Sequence, residues 1–308
     1  MTGVTPTIPP PLDTPSAPRL TLPGLSCDSH VHIFGPHARF PYAPTRTFTP
    51  HDVPASRLRA LHDGLGIVRA VLVQSACHGT DHAAVLDALA DAPDRYRAVA
   101  LLAPDTAAAD IRRLDDAGFR GVRLHFLPHL GRAPDPDAVR AMVRLIRPFG
   151  WHIALHVTGR DLVEHHGLIA TLEAPVIIDH MGRVDAAEGA DGAGFTQLRR
   201  LIGAGHVWVK LSGADRVTQR DYPYEDAVAL ARILAKDAPE RVLWGSDFPH
   251  PNIRGAMPDD GKLVDLIAEI APDETARRRM LVDNPATVFG FPPLVSPEVA
   301  GHPDQRRR

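Results

Sequence analysis

The sequence predicts an α/β fold, a closed (β/α)8 TIM barrel, on three observations. Eight short Val/Ile/Leu-rich runs alternate along the chain with longer segments of helical periodicity, the pattern of βα units around a parallel sheet. The length, 308 residues, is ordinary for one such barrel. No G-x-G-x-x-G or P-loop sequence follows an early strand, as the rival doubly wound sheet would want for a phosphate loop. Closure also removes the exposed strand edges that an open sheet must protect.

In chain order the runs are Cys27–Phe34, Ala70–Gln74, Tyr96–Leu102, Gly121–Phe126, His152–Thr158, Val176–Met181, Val207–Ser212 and Val242–Asp247. Apolar content on both alternating faces, with Gly or Pro at the borders, suits strands covered on each side. Between them, Asp81–Asp91, Ala107–Ala117, Asp137–Phe149, Thr196–Gly203 and Tyr224–Ala235 carry apolar residues at helical spacing. Thr106 and Asp135 stand where N-caps belong, and Gly118 and Gly150 where helices should stop. Residues 24–292 are expected to form the barrel. The Pro-rich stretch 1–23 reads as a loose arm, and 293–308, ending in three arginines, as an unpacked tail.

Composition narrows the partners. A net charge of −3 offers no basic face for nucleic acid or anionic membrane, so a small molecule is expected. No apolar run reaches the length of a membrane helix, and the N-terminus lacks the pattern of a secretory signal. Two cysteines, Cys27 and Cys77, are too few for a disulfide framework and fit a reducing, cytoplasmic compartment. Assembly as monomer or homodimer is left open.

The first strand reads Asp28-Ser29-His30-Val31-His32. Side chains two apart on a strand share a face, so His30 and His32 point together toward the strand's C-terminal end, the catalytic face of a barrel. Two imidazoles so placed can bind one cation. His156 closes the fifth strand, His180 the sixth and Asp247 the eighth. A lone strand histidine is more often a satisfied core residue than a ligand. Four imidazoles and a carboxylate all at C-terminal strand ends point to a site, because burying them without partners is costly. Arg123, Arg183 and Arg216 follow strands four, six and seven and would ring the same mouth, where guanidinium groups hold carboxylates or sulfonates in bidentate fashion. The plain alternative for each is an ion pair with Asp179, Asp185 or Asp215.

With Gln74 to Asp81, Gly121-Val122-Arg123, Asp179-His180-Met181-Gly182-Arg183, Trp244 to Asn252 and Asn284-Pro285-Ala286, these motifs resemble the amidohydrolase superfamily, of the amidohydrolase-2 type. They look most like the branch of pyrone dicarboxylate and sulfomuconolactone lactonases. The resemblance spans Cys27 to about Phe291 and implies an amidohydrolase-type barrel that opens a small anionic lactone. It implies substrate contacts from Ser75, Thr80, Arg123, His129, Arg183, Arg216 and Asn252. Two positions depart from the pyrone dicarboxylate enzymes: His129 stands where a second basic residue is expected, and His156 where a tyrosine is usual. The second points to a divalent metal, Zn²⁺ or Mn²⁺, on His30, His32, His156 and Asp247, since a fifth-strand histidine completes the ligand set of mononuclear members.

The expected reaction is attack of water on the lactone carbonyl, with Asp247 as general base, His180 orienting it or stabilising the oxyanion, and His250 assisting from the following loop. In a metal-free site His30, His32 and His180 would polarise the carbonyl themselves. The rivals are a metal-dependent decarboxylase of an aromatic or unsaturated acid on the same barrel, a metal-independent 2-pyrone-4,6-dicarboxylate lactonase, and a non-catalytic barrel that binds an anion.

Overall fold

The computed structural model describes residues 5–131, 133–253 and 255–292. Eight parallel strands run in sequential order: β1 (Cys27–Val31), β2 (Arg69–Val73), β3 (Tyr96–Ala100), β4 (Phe119–His125), β5 (His152–His156), β6 (Val176–Ile178), β7 (Val207–Lys210) and β8 (Val242–Leu243). Every predicted run overlaps one of them, with β2 and β4 starting one and two residues earlier than their runs. The seam between β8 and β1 is closed by backbone bonds from Ser29 N to Trp244 O (2.9 Å), Asp247 N to His30 O (2.9 Å) and His32 N to Phe248 O (2.8 Å). Closure therefore runs through the same peptides that carry the candidate site.

Several strands stop sooner than their apolar runs. His180 and Asp247 stand beyond β6 and β8, on turns with left-handed backbone (φ 51° and 64°). An L-residue adopts this conformation only when its surroundings hold it there. Asp135 caps the helix Pro136–Ile146 by accepting from Ala138 N at 2.8 Å. Thr106 does not cap: its hydroxyl donates to Ala103 O, and Ala107 occupies the N-cap position of Ala108–Asp116.

Strand alternation sorts the core. Val71, Val73, Val99, Ala154, Ile177, Trp208 and Leu243 form one cluster with Cys27 and Phe289 inside the barrel. The residues between them, such as Leu72, Ala98, Ile153, Ile178 and Val209, pack outward against the helices. Gly121 belongs to the inner set, and a Cβ there would lie 2.3 Å from the His152 ring, so glycine makes the room that this buried imidazole fills.

Residues 5–23, expected to be loose, are tied to the barrel. Thr7 pairs with Thr49, Ser16 bonds to Asp259, and Arg19 bonds to Asp265. A proline-rich strand still offers carbonyls and a few N–H groups, and here the barrel satisfies them. The predicted tail 293–308 lies outside the described residues. Among the described residues no helix is long and apolar enough to cross a membrane.

Candidate active site

At the C-terminal end of the strands lies a cavity of about 300 Å³. Asp247 and His180 form its chemical centre. Nε2 of His30, His32 and His180 stand 3.7, 3.5 and 3.9 Å from the same oxygen, Asp247 Oδ1. The other carboxylate oxygen, Oδ2, accepts from Arg216 Nη2 at 2.8 Å and Nε at 3.2 Å. Burial alone would raise the carboxyl's pKa. His180, Arg216, His32 and His30 outweigh it and hold Asp247 well below the usual carboxylate range. Burial also pushes His180 down to about 3 and His30 well below its ordinary value.

The donor set suits a cation. The three Nε2 to Oδ1 separations are at or beyond the hydrogen-bond limit. They are close to the roughly 3.4 Å edge expected between ligands of a tetrahedral ion with bonds of about 2.1 Å. His30 Nε2 is buried with no hydrogen-bond partner, a costly state that a ligand relieves. His32 Nδ1 donates to Val73 O at 2.7 Å, which turns its Nε2 lone pair into the site. Among the described residues, His30, His180 and Asp247 are the group whose donor atoms fall within 4.8 Å of one another. His156, expected as a ligand, lines the same cavity outside that group, its ring 5.6 Å from that of His180. Its Nδ1 lies 3.3 Å from His125 Nδ1, and Arg183 Nη1 approaches its Nε2 at 3.5 Å. The left-handed backbone at His180 follows β6 directly and accompanies its place beside His30 and Asp247.

Beneath this centre lies a charge network whose lysine carries no motif in the sequence. Lys210 Nζ sits 3.0 Å from His30 Nδ1 and 3.0 Å from Asp179 Oδ1, and Arg123 Nε donates to Asp179 Oδ2 at 2.7 Å. All four residues are buried. Burial would raise the Asp179 pKa, but Lys210, Arg123 and His30 keep it well below its ordinary value. Lys210 was legible in principle. It is two residues from Trp208 on β7, so it shares the inward face.

The cavity wall is cationic. Arg123, Arg183 and Arg216 line it with His125, His129 and Asn252, and Ser75 contributes a hydroxyl. Two of the arginines make the ion pairs weighed as alternatives, Arg123 with Asp179 and Arg216 with Asp215, while still facing the cavity. Thr80 is exposed and outside the lining, because the chain turns away after Ser75 with Gln74 Nε2 bonded to Gly79 O. His250 is also outside: it is buried with Nε2 3.1 Å from Asp260 Oδ1, a pairing that raises its pKa against the effect of burial. Thr47 and Phe48, from the segment after β1, complete the wall and carry no motif that would have marked them.

Comparison with known proteins agrees with this architecture. The amidohydrolase family model matches residues 27–291. A 4-sulfomuconolactone hydrolase of Rhizobium radiobacter is 42% identical over 281 residues, covering 89% of this chain and 93% of that protein. A 2-pyrone-4,6-dicarboxylate hydrolase of Comamonas testosteroni is 38% identical over 284 residues, with 89% and 93% covered. An apo crystal structure from Agrobacterium tumefaciens, 30% identical, superposes with a TM-score of 0.81 over 90% of this chain and all of that one. With a family match across nearly the whole barrel and site residues at the expected strand ends, the chain belongs to the amidohydrolase family.

Proposed function

We propose that this chain hydrolyses an anionic lactone, carboxylated or sulfonated, with Asp247 accepting the proton of the attacking water. The observation that carries the reading is three imidazoles converging on one carboxylate oxygen at the floor of a cavity walled by three arginines. The relatives' names, both hydrolases of anionic lactones, support it.

His30, His180 and Asp247, with His32 beside them, would hold a divalent cation such as Zn²⁺ or Mn²⁺. Bound there, such an ion acidifies water and polarises an ester carbonyl. The chain's own residues supply the rest. Arg216 occupies Asp247 Oδ2 and so aims Oδ1 at the three rings, keeping the base ionised at every ordinary pH. His180, held from behind by Ser212 Oγ at 2.9 Å, orients groups between itself and Asp247. Arg123 and Arg183 supply positive charge for the substrate's anionic substituent.

The test is elemental analysis of the purified protein together with hydrolysis of 4-sulfomuconolactone and 2-pyrone-4,6-dicarboxylate, followed by acid release, before and after chelation. Ring opening with bound metal and loss on chelation is the expected result. Undiminished turnover without metal removes the cation from the reading and leaves hydrolysis in place. Carbon dioxide release instead of acid would replace the lactonase with a decarboxylase. Asp247→Asn should lower turnover by about 10²- to 10⁴-fold while the protein stays folded.

A further inference from the structure

We propose that residues 6–16 form a strap that sets the width of the active-site mouth by holding both of its side walls. The strap has two anchors, and each leads directly to cavity-lining residues. At the first, Ile8 N donates to Thr49 O at 3.0 Å and Thr49 N donates to Pro6 O at 2.8 Å, a short parallel pairing of Thr7 with Thr49. Thr49 immediately follows Thr47 and Phe48, which line the cavity. At the second, Ser16 donates to Asp259 Oδ1 from its backbone N at 3.0 Å and its Oγ at 2.9 Å. Asp259 caps the helix Asp260–Ile270, and Asp260 Oδ1 bonds to His250 Nε2 at 3.1 Å. His250 in turn precedes Pro251 and Asn252, which also line the cavity.

The stretch between the anchors is fixed too, since Arg57 Nη2 donates to Pro11 O and Leu12 O at 3.4 and 3.2 Å. A proline-rich segment suits this task because it is stiff and extended, transmitting position along its length instead of absorbing it by coiling. The second anchor is a close fit. A Cβ on Gly261 would lie 1.8 Å from Ser16 O, so the strap rests directly on the helix backbone. This also gives His250 a role distinct from proton transfer: it is a positioning residue that couples the helix to the loop carrying Asp247, whose O accepts from His250 N at 2.7 Å.

The inference rests on the cavity being the substrate site, and its test separates the two. Ile8→Pro removes the N–H at the first anchor while keeping extended backbone. Gly261→Ala displaces Ser16 at the second. In each full-length variant, backbone hydrogen exchange at residues 47–49 and at Asn252 should accelerate. KM for 4-sulfomuconolactone should rise about tenfold, with kcat within about twofold of the parent. A strap with a merely structural role would lower the thermal midpoint and leave KM alone. Unchanged exchange at both walls in both variants overturns the proposal, as does faster exchange with unchanged KM. A parent chain that opens no lactone refutes the hydrolytic reading alone, because exchange at the two walls then decides the strap.

Discussion

Arg216 grips Asp247 by a single oxygen, with both Nη2 and Nε on Oδ2, so that Oδ1 is left to face three histidines. Removing this guanidinium should free the carboxylate to rotate and take away one of the charges that depress its pKa. Because the folded-state pKa is now low, its loss of a positive neighbour moves it upward. In Arg216→Gln the acid limb of kcat/KM is therefore expected at higher pH than in the parent, alongside a lower plateau. A pH–rate profile with an unmoved acid limb would count against Asp247 as the base.

Two buried histidines outside the cavity lining predict how the protein fails in acid. Burial pushes His152 down to about 3 and His82 to about 4, against about 6.5 for each in the unfolded chain. Between those values the unfolded state binds more protons than the folded one, so stability falls as pH drops. Chemical denaturation midpoints should start to decline near pH 6.5, and His152→Gln should flatten that decline. A midpoint constant from pH 7 to pH 4.5 would show that these rings are not held neutral.

Lys210→Met tests the buried network. The substitution leaves Asp179 with Arg123 as its remaining full cationic partner and should cost about 3 kcal/mol of stability, read from urea unfolding. Asp179→Asn combined with Lys210→Met should recover part of that loss, since the uncompensated carboxylate is then gone too. Equal instability of the single and double variants would mean that packing, not charge, dominates.

Arg183 lines the cavity and reaches His156, so Arg183→Gln should raise KM for an anionic lactone about tenfold and affect a neutral lactone much less. Initial rates on a sulfonated or carboxylated substrate and on an uncharged one provide the comparison. The same change in KM for both substrates would remove this arginine from anion recognition.

The barrel was legible because its strands announce themselves: Val-Ile-Ile before Asp179 and Val-Trp-Val before Lys210 are apolar on both faces, as covered strands must be. The His30, His32, His180 and Asp247 centre was legible because those residues sit at or just past strand ends. What could not be read was the backbone beyond the strands. Left-handed turns at His180 and Asp247 decide which ring joins the centre, and their geometry is imposed by tertiary contacts with no local signature. The same limit explains Thr80 and His250. Both sit in suggestive strings, yet one is turned to solvent and the other spent on Asp260. Thr47 and Phe48 reach the cavity from a loop tied through Thr49 to Pro6 and Ile8, a long-range contact with no local signature.

The seam between β8 and β1 joins peptides more than two hundred positions apart, and Asp247 N–H is one of its bonds. A nascent chain lacking its last quarter has every histidine of the centre but lacks Asp247, on which they converge. The candidate centre is thereby left incomplete until the ring of strands closes, and regain of its geometry after denaturation becomes a gauge of the final step of assembly.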